Sequence, residues 1–243
     1  MNDILEYFDI PNSCKVSKKL DKKEFIENFQ LNVNDRKVLS KVIERITLEY
    51  LLNQDTINIS TFSDEEKDYS EIAIIKVKIT DKSKLKTINK IIQEIPYPLI
   101  VVYQCESEIS ICISSKRINK SDSSKLVVEE DHFTDWINLE ELNDLDIEFL
   151  NNLKSSQHSF VDFFSFYESY LKLVIAYNVS KYSGSIKKSD NSKEILSEIH
   201  KVELQISELK NKIKKETNFN DKVGLNIKLK KLNDNLKKLK SSL

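Results

Sequence analysis

Residues 71–103 read EIAIIKVKITDKSKLKTINKIIQEIPYPLIVVY, and the changes of pattern within them decide the class of fold. Ile72 to Ile79 is rich in β-branched residues, with Ile75, Val77 and Ile79 on one face and Lys76 and Lys78 on the other, the period of a strand. Ser83 to Glu94 switches to helical spacing and presents Leu85, Ile88, Ile91 and Ile92 together. Ile95-Pro96-Tyr97-Pro98 stops that helix, because neither proline can continue the backbone ladder. Leu99 to Tyr103 is then a continuous apolar run, the mark of a strand buried on both faces. Strand, helix and strand in succession make the body α/β (α+β), a small mixed sheet covered by helices.

Working outward, Glu108 to Ser114 alternates again, with Ile109, Ile111 and Ile113 on one side, and Leu126 to Val128 adds a further strand. On the N-terminal side, residues 1–19 read as irregular chain with a turn at Pro11-Asn12-Ser13. Asp21 can cap a helix through Phe29. A longer helix is expected after Asn32 or Asn34, because Val38, Val42, Ile46 and Leu48 to Leu52 share one face. Ile57, Ile59 and Thr61 alternate as a strand, and Asp64 to Asp68 is a charged turn. Beyond the sheet, Leu139 to Lys154 and Phe160 to Lys181 read as helices. The second carries Phe160, Phe163, Phe164, Tyr167, Leu171, Val174 and Ile175, a stripe too aromatic to face water that is expected to close the core.

Tyr182 to Asn191 has the composition of a linker. After it, Ile195, Ile199, Val202, Ile206, Leu209 and Ile213 keep the 4-3-4-3-4 spacing of a coiled-coil seam. The seam fails at Thr217 to Asp221 and resumes in a new phase at Leu225, Leu229, Leu232, Leu236, Leu239 and Leu243. Two arms of similar length predict an antiparallel helical hairpin, with Asn220 or Asp221 capping the second arm. One continuous helix with a stutter is the alternative. The expected organisation is a body over 1–181, a linker over 182–192 and a hairpin over 193–243.

The net charge of −1 hides an asymmetry: residues 187–243 hold 15 lysines against 8 acids, a net of +7, and residues 1–186 carry −8. An acidic body bears a basic tail. No apolar run reaches the length of a membrane span. The acidic N-terminus lacks the basic region of a signal peptide. Cys14, Cys105 and Cys112 are isolated, as expected of reduced thiols in a cytoplasm.

The chemistry is sparse. Phosphate-cradling loops need clustered glycines, and Gly184 and Gly224 each stand alone, which argues against nucleotide-binding folds. His132, His158 and His200 lack metal-ligand spacing, so neither a metal nor another cofactor is expected, and no catalytic residue is assigned. The Lys76 and Lys78 strand has no acid two residues before either lysine, as a nuclease core requires. It reads as a lysine-faced edge, with a degenerate nuclease as the less favoured alternative. Lys116 and Arg117, just after a strand, and Lys228, Lys230, Lys231, Lys237 and Lys238 of the second arm are the candidate contacts for nucleic acid or an acidic partner. A solvated face is the favoured reading of the same lysines.

Several segments in order resemble the family known as domain of unknown function 4391. They are Lys22-Lys23-Glu24-Phe25, Glu71-Ile72-Ala73-Ile74, Ile88-Asn89-Lys90-Ile91-Ile92 with Ile95-Pro96-Tyr97-Pro98, Ser115-Lys116-Arg117, Phe133-Thr134-Asp135-Trp136 and Phe219 to Asn226. Gly224 departs from the helix-favouring residue expected at its position. Relatives of this kind lack an assigned activity and are encoded beside helicases and DNA methyltransferases of restriction-like or phage-defence loci. The resemblance thus implies a non-enzymatic accessory subunit that binds such a protein partner, with a nucleic-acid-binding accessory as the alternative. The oligomeric state is not legible from residues alone.

Overall fold

The sheet starts earlier in the chain than periodicity predicts. In the computed structural model, which describes residues 3–186 and 192–241, a 3-10 turn at Ile4–Phe8 buries Ile4, Leu5 and Phe8. Lys15–Leu20 then forms strand β1, where irregular chain was expected. Its side chains are almost all exposed, so no apolar alternation announces it.

Asp21 caps α1 (Lys22–Asn28), its carboxylate accepting from the Lys23 amide, and Asn32 caps α2 (Val33–Lys41). The long helix expected through Leu52 ends at Lys41, and Ile43–Leu52 is instead strand β2. Ile43, Ile46 and Thr47 are β-branched and favour extended backbone, and pairing with a central neighbour settles the ambiguous period. The strand expected at Ile57 to Thr61 is also corrected. Gln54–Ile57 is a short helix, α3, closed by a capping box between Asn53 and Thr56. Strands β3 (Phe62–Ser63) and β4 (Asp68–Tyr69) flank the charged turn, where Asp64 Oδ1 accepts from the Glu66 and Lys67 amides.

Next come β5 (Ile72–Ile79), α4 (Leu85–Ile92) and β6 (Leu99–Cys105), the unit read from residues 71–103. β5 and β6 pair in parallel, from Ala73 opposite Leu99 to Lys78 opposite Gln104. The other neighbours in the main sheet are antiparallel. Strands β7 (Glu108–Asn119) and β8 (Asp122–Phe133) form a long ribbon, and β9 (Ile137–Asn138) pairs with β7. The strand order is β1-β2-β5-β6-β7-β8. β5 is therefore interior, and its lysine face does not guard an edge: Lys76 pairs with Asp3 and Lys78 with Glu44.

On one face, Phe25, Val38 and Leu39 of α1 and α2 and Ile88, Ile91 and Ile92 of α4 pack with Ile75, Val77 and Val101 of the sheet. Helix α5 (Asp144–Asn151) starts later than the expected Leu139, at the capping box of Asn143 and Asp146. Helix α6 (Phe163–Ser183) brings Tyr167 onto the sheet. Its hydroxyl donates toward the carbonyls of Leu99 and Ser114 and accepts from the Ser114 amide. His158 is buried beside it, stacked on Tyr170 and bonded to Ser169 and to the Asn152 carbonyl. It is thus a packed polar residue rather than a helix-start residue alone.

Contacts group the chain into Met1–Val174 and Ile175–Leu243, with α6 running from the first unit into the second. Gly184, at φ 76°, ends α6 by donating its amide to the Ser180 carbonyl, a left-handed position that suits glycine. Part of the expected linker, residues 187–191, lies outside the described residues. Helices α7 (Ser192–Lys215) and α8 (Phe219–Ser241) pack against each other as the expected hairpin. Among the described residues no helix is long and apolar enough to cross a membrane.

Candidate interaction surface

The hairpin turns where helix propensity fails. Glu216 Oε1 accepts from the Thr217 and Asn218 amides, and Asn218 Oδ1 accepts from the Asn220 amide at 2.9 Å. The cap of α8 is thus Asn218, two residues before the earlier of the expected candidates. Leu196, Ile199, Val202 and Ile206 of α7 are buried. From Leu209 onward the seam is only half-buried on both arms, at Leu209 and Ile213 and at Leu225, Leu229, Leu232, Leu236 and Leu239. Leu243 and the side chain of His200 lie outside the described residues.

The lysines of the second arm surround this half-covered seam. Lys228 and Lys231 share a groove of about 500 Å³ with Leu209, Leu225 and Leu232, on the same arm as the exposed Lys230, Lys237 and Lys238. Lys240 behaves differently, pairing with Glu203 at 2.9 Å and lying over the Tyr182 ring. The geometry offers an apolar strip flanked by ammonium groups.

Lys116 does not belong to that kind of surface. It lies within β7, not after it, and is 1% exposed. Its ammonium donates to the carbonyls of Gln93, Ile95 and Tyr97 at 3.2, 3.0 and 2.7 Å. The residue expected to meet phosphate instead ties the end of α4 and the proline turn to the sheet. Burial pulls its pKa down to about 7, against the Asp131 and Glu94 carboxylates, which raise it. Arg117, on the opposite face, pairs with Glu129 at 3.5 Å and donates to the Ile118 carbonyl.

Sequence reasoning missed the polar face of β7. Ser110, Cys112, Ser114 and Lys116 alternate with Ile109, Ile111 and Ile113, and all seven are buried. Ser114 Oγ donates to Asp131 Oδ1 at 2.6 Å, and burial pushes the Cys112 thiol well up. The signal was the period-2 spacing of small polar residues opposite the isoleucines. Beside it, a groove of about 850 Å³ runs between Phe29, Gln93 and Glu94 on one wall and Leu126, Val128 and Asp131 on the other. Among the described residues no group of three or more His, Cys, Asp or Glu could hold a metal ion.

The family described as Domain of unknown function (DUF4391) matches residues 8–236, nearly the whole chain. The chain belongs to this family. No curated protein and no solved structure matches it. The DUF4391 match spans both the sheet and most of the hairpin, so the two parts belong to one family pattern.

Proposed function

We propose that this DUF4391 chain is a non-enzymatic accessory subunit whose hairpin docks onto a protein partner. The partner class is a helicase or DNA methyltransferase of a restriction-like or anti-phage defence system, acting in the cytoplasm. One observation supports the reading most directly: α8 carries its seam leucines half-buried between exposed lysines, the profile that an acid-flanked helix of a partner would complete. The buried thiols Cys14, Cys105 and Cys112 are consistent with a reducing compartment.

The test is to mix the purified chain with a helicase and with a DNA methyltransferase taken from its native gene neighbourhood and follow co-elution by size exclusion with light scattering. One of the two should form a complex that Lys228→Glu with Lys231→Glu disperses. Co-elution of neither rejects the reading.

The exposed lysines of α8 also favour a second reading, an accessory that tracks a nucleic-acid backbone. Anisotropy of a labelled duplex across a salt series separates the two. Changing Lys230, Lys231, Lys237 and Lys238 to Gln should lower the salt slope by about 0.9 per lost phosphate contact. Under the adaptor reading, duplex binding at physiological salt is negligible before and after the change.

A further inference from the structure

The two edges of the main sheet differ in a way the proposed docking function does not explain. A sheet edge presents unpaired amides and carbonyls, and proteins guard edges with like charges and bulges. β1 is guarded in this manner. It carries Lys15, Lys18 and Lys19 in six residues, its register with β2 shifts between Lys15 and Lys18, and Ser17 sits at φ 50°. A second β1 strand would meet it lysine against lysine.

β8 is the opposite edge, and its residues 125–129 read Lys-Leu-Val-Val-Glu. That run is self-complementary in the antiparallel sense. A two-fold axis through Val127 sets Lys125 opposite Glu129 of the second copy and Leu126 opposite its Val128, twice over. Directly opposed residues of an antiparallel pair must lie on the same face, and the register of β8 on β7 satisfies this. Leu126 opposes Ile118 and Val128 opposes Lys116, so both lie on one face, while Val127 opposes Arg117 on the other. The next pairing, Ser115 with Glu130, skips Glu129, which makes Glu129 the bulge residue. Glu129 reaches Arg117 at 3.5 Å, so its carboxylate lies toward the Arg117 and Val127 face. Lys125 stands at a second register shift, since Ile118 opposes Leu126 while Asn119 opposes Asp122.

The two shifts leave Leu126, Val127 and Val128 as the regular run, with Lys125 and Glu129 at its ends, which centres the pairing on Val127. Consecutive residues Lys125, Leu126, Val127 and Val128 all line the groove beside α4. Successive side chains point to opposite faces, so a groove that touches all four reaches the outer edge of the strand. Lys125 is already paired with Asp122 at 2.9 Å, but both groups are largely exposed, and an exposed pair of this kind exchanges partners at little cost.

We infer that β8 is a homodimer edge: two copies join their sheets antiparallel about Val127, with reciprocal Lys125–Glu129 pairs fixing the register. A two-fold axis makes each ion pair occur twice, so a single charge reversal puts two like-charge pairs into the interface.

Sedimentation velocity of the full chain over a concentration series tests this, with circular dichroism to confirm folding. Wild type should show a concentration-dependent dimer. Lys125→Glu and Glu129→Lys should each weaken it about tenfold or more. The double variant, Lys125→Glu with Glu129→Lys, should restore it toward wild type. Neighbours within one chain predict the reverse, since the double variant keeps Glu at 125 beside Asp122 and Lys at 129 beside Arg117. Rescue therefore reports pairing between copies and not repair of the monomer. Monomer at every wild-type concentration, or a double variant weaker than either single one, overturns the proposal. The hairpin lysines are untouched by these changes, so failure here leaves the docking reading standing.

Discussion

The Lys116 ammonium lies 2.7 Å from the Tyr97 carbonyl oxygen, joining β7 to the turn between the two prolines. The same ammonium also holds the carbonyls of Gln93 and Ile95, so one side chain uses its three hydrogens on three backbone acceptors. This turn follows the end of α4 and leads into β6, so Lys116 locks the crossover that sets the parallel pair.

Replacing Lys116 by Met keeps the stem but leaves three carbonyls without its ammonium, one of these bonds being buried and two partly buried. The variant should lose about 2–4 kcal/mol of stability, since each unsatisfied buried polar group costs on the order of 1–3 kcal/mol and some of the loss is recovered by relaxation. Urea unfolding at neutral pH measures it. An unchanged midpoint would show that Lys116 does not hold the turn.

The same lysine makes stability depend on pH. Its folded pKa is about 7 and its unfolded value about 10.4, so between these values the unfolded chain binds the extra proton and stability rises with pH. The slope from this group alone approaches about 1.4 kcal/mol per pH unit at most. Burial raises the Cys105 and Cys112 thiols, which act in the opposite direction at higher pH. The difference between wild type and Lys116→Met between pH 7 and 8.5 therefore isolates the lysine. It should widen as pH rises, and a constant difference would show that Lys116 stays charged throughout.

Phe163 is fully buried at the start of α6. Phe163→Ala should cost about 3–5 kcal/mol, the range for truncating a buried aromatic. Thermal unfolding checks it, and an unchanged transition would mean that the aromatic face of α6 does not close the core.

Gly224 lies in the early turns of α8, and a Cβ built there meets nothing within 4 Å. Gly224→Ala should stabilise the helix by about 1 kcal/mol, the propensity difference in a helix interior. Helical ellipticity and its melting temperature should both rise. A fall would imply that the open space at this position is used in the folded chain.

Some of this molecule was legible because local periods were unopposed. The alternation of Ile72 to Ile79, the apolar run of Leu99 to Tyr103 and the prolines at 96 and 98 each have one reading, and the structure follows them. The hairpin was the first of two readings, because the seam changes phase at residues that disfavour helix, and α7 and α8 end and begin there. By contrast, the helical spacing read from Val38 to Leu52 holds only as far as Lys41, and pairing of Ile43 to Leu52 with β1 and β5 makes the rest a strand. The lysines separated for a related reason. Lys228, Lys230, Lys231, Lys237 and Lys238 of α8 are exposed at positions that helical spacing already sets apart from the seam. Lys116 is buried because the end of α4 and the turn after it, some twenty residues earlier in the chain, fold over β7 and present three carbonyls at one point. Sequence specified which residues were charged and how they were spaced; tertiary structure decided which charges kept their water, because a distant backbone supplied the hydrogen bonds that burial would otherwise have removed.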